Sequence, residues 1–205
     1  SEESHDSKKI ADKKANSLFK SYIKKATSDV EKEFKKDWLV SVFSDNAGIV
    51  RFDKKQDVCV KVETHNSPSA LDPYGGALTG ILGVNRDILG CGQGSRPIAN
   101  TDVFCFADGG LENRVSKKLP KKLLNPQRVL KGVHKGVEDG GNKSGIPTVN
   151  GAIVFDDDYA GKPLVYCGTV GVLPQKMKSG QNTFEKRQKP GDHIVVIGGS
   201  VGMDG

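Results

Sequence analysis

The stretch from Lys61 to Asp87, KVETHNSPSALDPYGGALTGILGVNRD, constrains the fold of this chain more than any other. It grows out of a run rich in β-branched residues, Val58-Cys59-Val60-Lys61-Val62, which reads as a strand. Four polar groups then come in succession: the carboxylate of Glu63, the hydroxyl of Thr64, the imidazole of His65 and the amide of Asn66. Pro68 and Pro73 stiffen the exit, and Gly75, Gly76, Gly80 and Gly83 let backbone approach a ligand closely. The stretch closes on Arg86-Asp87, a cation beside a second acid. A plain structural connection has little use for so many polar groups between strand and helix. An anionic, metal-bound substrate would engage all of them.

The remaining segments supply an α/β fold. Residues 18–36 carry Leu18, Phe19, Tyr22, Ile23, Ala26, Val30 and Phe34, a helical-period stripe that predicts a helix packed on a sheet. Residues 38–52 read as a hairpin, with Asn46 and Gly48 suited to positive-φ turn positions. A short helix is expected over Thr79–Ile88 and a strand over Asp102–Ala107. A further helix takes Asn125 as its N-cap and Pro126 as its first residue, and is expected to end at Gly140-Gly141. Strands at 149–155 and 164–172 follow, joined by the turn DDDYAGKP. HIVVIGG, at 193–199, reads as one more strand running into a glycine-rich loop.

The expected architecture is therefore a mostly antiparallel sheet of about four strands backed by two long helices. Residues 1–37 form a flexible start and first helix, 38–175 an α/β domain, 176–189 a polar linker, and 190–205 the start of a further unit. A strand that stops in a glycine loop predicts a fragment.

Composition excludes several classes. A net charge of +6 raises the question of nucleic acid, but the lysines are mixed with acids and lack interleaved aromatics. No apolar stretch reaches membrane-spanning length, and the charged start is not a signal peptide. Cys59, Cys91, Cys105 and Cys167 show no CxxC pairing; three of them sit in apolar runs, a usage that fits a reducing cytoplasm.

Each candidate residue has a plain alternative. Glu63 and Asp87 are acids from separate elements and would suit magnesium, which takes few carboxylates and keeps waters and phosphate oxygens; otherwise they are a cap or a surface ion pair. His65 can accept a proton from an attacking nitrogen, or bond to backbone. Arg86 offers a planar fork to a phosphate, or an ordinary salt bridge. Lys61, as a strand residue, can simply face solvent.

The run ETHN, the P-S-A that follows, the PYGGA patch and the closing RD resemble the formylglycinamidine ribonucleotide synthetase family of purine biosynthesis. GSRPIANTD at 94–102, GNKSGIPTVNGAIVFDDDYAGKPLVYCGTVGVLP at 141–174 and PGDHIVVIGGSVGMDG at 190–205 extend the resemblance over nearly all of 39–205. The superfamily also contains aminoimidazole ribonucleotide synthetase, selenophosphate synthetase and thiamine monophosphate kinase.

The resemblance implies ATP-dependent conversion of formylglycinamide ribonucleotide to its amidine, with ammonia from a glutaminase domain or subunit. It implies Mg2+ on Glu63 and Asp87, ATP on Lys61, substrate on Thr64, His65, Asn66, Ser67 and Arg86, and His65 as proton acceptor. It also implies that residues 190–205 lead into a second lobe, and that the sheet pairs with an equivalent one to form a closed barrel, expected here as a homodimer. Ser67 departs from the pattern, since many members carry a second histidine there. In the N-terminal run Ser1-Glu2-Glu3-Ser4-His5 the histidine of the family's short motif is either displaced, to His5, or replaced. A related small-molecule kinase and a non-catalytic nucleotide-binding module are the competing readings.

Overall fold

The structure is a computed structural model that describes residues 17–34, 37–107 and 122–200. The expectations for residues 1–16, including His5, for 108–121 and for 201–205 lie outside them. The elements run α1 (Lys25–Phe34, entered through a π-helical stretch Phe19–Lys24), β1 (Leu39–Ser41), β2 (Gly48–Arg51), β3 (Gln56–Thr64), α2 (Asn66–Leu71) and α3 (Pro73–Gly90). Then come β4 (Arg96–Phe106), α4 (Pro126–Ser144), β5 (Thr148–Phe155) and β6 (Leu164–Pro174).

The strands form one mixed sheet in the order β1-β2-β3-β6-β4-β5. All neighbours are antiparallel except β4 and β5, whose parallel pairing is made possible by the α4 crossover. The sheet thus has six strands rather than about four. The β1–β2 hairpin extends it through β3, and β5 adds to the opposite edge.

Helices α3 and α4 lie on one face. Alternation decides which strand residues meet them: Cys59 of β3, Phe104 and Phe106 of β4, and Val165, Cys167 and Leu173 of β6 are buried. Ala77, Ile81 and Val84 of α3 and Val129, Val133 and Val137 of α4 close over β4 and β6 as one core cluster. Ala47, Ile49, Cys59, Ile88, Cys91 and Leu173 form another at the end of α3.

Two helix boundaries differ from expectation. Instead of a short helix over 79–88, α3 is 18 residues long, with Pro73 in its first turn and Asp72 as N-cap accepting from the Gly75 N–H. Its glycines lower intrinsic helix propensity, yet they permit close packing that compensates. A Cβ on Gly76 would come within 2.6 Å of the Pro68 carbonyl carbon in α2. Helix α4 runs through Gly140-Gly141 and ends at Gly145, which adopts φ 70° and donates to the Gly141 carbonyl. Gly132, Gly136 and Gly140 are spaced one turn apart and face Pro73, Tyr74 and Ile81 of α3, so the two helix backbones approach closely.

Other expectations are corrected by what covers each segment. The helix over 18–34 forms, but its apolar stripe is not packed on the sheet: Leu18, Ile23 and Phe34 are more than half exposed. Its main partners are the Phe43 ring, edge-on to Phe19 at 5.1 Å, and a shallow groove beside Trp38 and Leu39. In the hairpin turn the positive φ falls on Phe43, at 58°, rather than on Asn46 or Gly48. HIVVIGG forms no strand; Ile194 to Ile197 are extensively exposed, and among the described residues no strand lies beside them to share hydrogen bonds. Within 176–189, Lys176 bridges Asn182 and Thr183 is buried, so this stretch is partly anchored. Among the described residues no helix is long and apolar enough to cross a membrane.

Candidate functional site

Residues two apart on a strand share a face, so β3 presents Lys61 and Glu63 on the helix side. Helix α3 brings Asp87 to the same place. The Lys61 ammonium lies 3.6 Å from a Glu63 oxygen and 3.3 Å from an Asp87 oxygen. Two carboxylates from separate elements thus converge on one cation, with Lys61 and Asp87 each 22% exposed and Glu63 more open. This is the surface ion pair of the plain reading and, equally, the convergence a shared divalent ion requires.

Among the described residues no group of three or more His, Cys, Asp and Glu could hold a metal by itself. Magnesium fits what is present, because it commonly takes one or two protein carboxylates and fills its other positions with water and phosphate oxygens. Zinc, which needs three or four protein ligands, does not fit.

His65 stands where β3 passes into α2. Its backbone N–H donates to the Val165 carbonyl at 2.8 Å, and its carbonyl accepts from the Ser69 hydroxyl at 2.6 Å. These bonds fix the backbone and leave the imidazole without a hydrogen-bond partner among the described residues. The side chain sits over Gly80, where an added Cβ would lie 3.1 Å from the His65 Cβ. Asn66 is partly structural: its Oδ1 accepts from the Val165 N–H at 2.8 Å, leaving the NH2 end to recognise other groups. Thr64, opposite Tyr166, and Ser67, in the first turn of α2, are exposed.

Arg86 goes elsewhere. Successive helical residues diverge by about 100° around the axis, so Arg86 and Asp87 cannot share a direction. Arg86 lines a cavity of about 750 Å3 with Thr79, Leu82, Arg96 and Ile146, on the β4 side of α3. Lys61, Glu63 and Asp87 are on the β3 side. The structure therefore gathers Lys61, Glu63 and Asp87, with His65 on the same flank of α3, and sets Arg86 apart. It forms no salt bridge with a described residue.

The glycines play a different part from the one expected. Gly76 and Gly80 are buried against Ser69 and His65, and Gly75 lies over the Asp72 carboxylate. Gly83 alone of the four has open space beside it. All four cysteines are buried. A hydrogen bond donated to Cys91 and burial push the Cys59 thiol up, and burial does the same to Cys167. Such thiols make poor nucleophiles.

Two features escaped sequence reading. The register sets Glu63 and Asp102 on either side of Cys167, so an acid of β4 lies buried level with the site. Alternation in DVFCF, which puts Asp102 on the face of Phe104 and Phe106, was the signal. The four-residue spacing of Gly132, Gly136 and Gly140 likewise announced the helix seam.

Residues 44–173 match the family described as AIR synthase related protein, N-terminal domain. A phosphoribosylformylglycinamidine synthase subunit PurL of Thermoplasma volcanium is 37% identical over 186 residues, or 91% of this chain and 22% of its own. The chain thus spans about a fifth of that relative's length. Among solved structures, T. maritima PurL complexed with FGAR superposes with a TM-score of 0.52 and 33% identity, covering 70% of this chain and 20% of that one. T. maritima PurL complexed with ATP gives 0.51 and 29%, covering 75% and 24%.

Proposed function

Because this chain belongs to the AIR synthase related family, through the N-terminal domain at residues 44–173, we propose that it forms part of an ATP-dependent carbon–nitrogen ligase. Its substrate is formylglycinamide ribonucleotide and its product the corresponding amidine. The relatives named for this synthase, and the FGAR and ATP complexes of a related structure, support this reading. The observation that carries it is the convergence of Glu63 and Asp87 on Lys61.

An amide carbonyl is a poor electrophile. Transfer of the γ-phosphoryl group of ATP to the amide oxygen makes that oxygen part of a leaving group. Ammonia then attacks the carbon, phosphate departs with the C–O bond, and the nitrogen loses its extra proton. Glu63 and Asp87 would hold a magnesium ion, which supplies charge neutralisation to the triphosphate. Lys61 contacts the nucleotide from the same cluster. The unpaired imidazole of His65, held by two backbone bonds, takes the proton from nitrogen. Thr64, Asn66 and Ser67 orient the substrate through neutral hydrogen bonds, and Arg86 receives its phosphate from across α3.

Ammonia comes from a separate glutaminase domain or subunit, consistent with four buried cysteines. Residues 38–175 act as the domain, and its sheet pairs with an equivalent surface, giving a homodimer. A cleft needs both walls to bind a transition state, so turnover is expected of a longer polypeptide or assembly rather than of these 205 residues alone.

Glu63→Gln tests the reading. It keeps the shape and removes one charge from a half-exposed position. Calorimetry should show weaker magnesium–nucleotide binding while the melting temperature barely moves. Unchanged binding would leave Glu63 as a surface ion-pair residue and withdraw the metal role.

A further inference from the structure

Arg86 is not alone in the cavity it lines. The same space, about 750 Å3, is lined by Arg96, the first residue of β4. Its size falls within the range of about 300–1,000 Å3 common for small-molecule sites. Both arginines are exposed, so a ligand in the cavity can reach them. The arginine ion pairs among the described residues belong to Arg51 and Arg187; Arg86 and Arg96 have none. No aspartate or glutamate is among the lining residues.

The fold carries both residues on rigid backbone. Thr79, Leu82, Arg86 and Leu89 recur every three or four residues along α3 and make one stripe toward the cavity. Arg96 pairs in the sheet with Val172 of β6, and Pro97 fixes the backbone beside it. Gly171 lets α3 approach this corner: a Cβ there would lie 2.3 Å from Ile88 Cγ2 and 3.0 Å from the Arg96 carbonyl oxygen. Two like charges without a counter-charge repel each other, and a cleft lined by one sign focuses its field on an incoming anion. The end of α4 at Ser144-Gly145 also borders the cavity and carries the helix's negative pole, equivalent to roughly half a charge. Two full charges outweigh it, and the Ser144 hydroxyl and Gly145 N–H already cap the Gly140 and Gly141 carbonyls.

We infer that Arg86 and Arg96 together grip one phosphate monoester, the 5-phosphate of a ribose, which makes Arg96 a second phosphate-binding residue. The choice of a sugar phosphate rests on the ligase reading above; the pairing of the two arginines goes beyond it. The three terminal oxygens of a phosphate monoester can accept from two planar forks at once, whereas a carboxylate is filled by one. Leu82, Leu89 and Ile146 supply apolar wall that limits competition from water, and the Thr79 hydroxyl remains for the sugar.

Ribose 5-phosphate titrated into the full 205-residue chain at low salt, followed by calorimetry and phosphorus NMR, tests this. Ribose 5-phosphate should bind and ribose should not. Arg96→Gln should weaken binding about tenfold, and Arg86→Gln by a similar factor. Arg96→Lys keeps the charge without the fork and should recover only part of the affinity. Arg187→Gln, at a guanidinium paired with Glu185, should leave binding unchanged. Arg86 and Arg96 are exposed, so the melting temperature should barely move in their variants. The inference is overturned by absence of ribose 5-phosphate binding, by equal binding of ribose, or by undiminished affinity in either glutamine variant. Its failure is separable from that of the ligase reading. Magnesium–nucleotide binding that depends on Glu63 would survive the loss of this inference, and ribose 5-phosphate binding that depends on both arginines would survive the loss of that reading.

Discussion

The two faces of the sheet carry similar residues and meet different surroundings. On β3, Asp57 and Cys59 point beneath the helix-covered face and are fully buried, while Val60 and Val62 on the other face remain 42% and 46% exposed. The segment VCVKV is apolar on both sides, the pattern of a strand covered on both faces. Helices α3 and α4 cover only one of them. The apolar pattern of this strand thus asks for a cover on both faces, and the described residues supply it on one.

Four variants sharpen or break that contrast. The largest effect is expected on the covered face. Ile81, wholly buried between α3, α4 and the sheet, should lose about 3 kcal/mol on substitution by Ala, read from urea denaturation. Next is the helix seam: a Cβ at Gly136 would strike the Tyr74 carbonyl, so Gly136→Val should cost about 2 kcal/mol through overpacking. A loss below 0.5 kcal/mol, taken as about the noise of surface changes, would mean that the seam is loose.

A smaller effect is expected from Asp57. Burial raises its carboxyl pKa, outweighing the Gln175 hydrogen bond and the nearby Arg51. The folded state then holds a proton more tightly than the unfolded chain. Stability should accordingly fall as pH rises from about 4 through the raised folded value, because the native state binds more protons in that window. Asp57→Asn should flatten this slope in thermal melts taken across pH; an unchanged slope would assign it to other acids.

The smallest effect belongs to the open face. Val62→Ala should cost less than about 0.5 kcal/mol if that face is bare in solution. A loss comparable to that of Ile81→Ala, together with a shift to smaller species in light scattering, would show that a second copy covers it.

Much of the site was legible because chemistry and period coincided. Alternation along VCVKVET puts Lys61 and Glu63 on one face, and ETHN with RD marked the residues that α3 and β3 bring together. That Arg86 and Asp87 diverge follows from any helix through them, but which neighbour each would face was not legible, because it depends on how α3, 18 residues long, is rotated against β3 and β4. Gly140-Gly141 misled for a related reason: a glycine that stops an isolated helix can continue one when a partner such as Ile81 needs the room. Periodicity found the amphipathic helix at 18–34 but could not say what its stripe would face. It also made a strand of HIVVIGG, which among the described residues lacks the one thing a strand cannot supply for itself, a neighbour.

The place of β6 has a consequence for how the chain is made. It is the last of the six strands in sequence and lies between β3 and β4 in space. Until Leu164–Pro174 has left the ribosome, β1–β3 and β4–β5 are two separate ribbons, each with an inner edge of unpaired N–H and C=O groups. At translation rates of about 5–20 residues per second, those edges stay open on the order of seconds after β4 emerges. Insertion of β6 zips both at once, so the sheet is completed in a single late event and the nascent chain is most vulnerable to aggregation just before it.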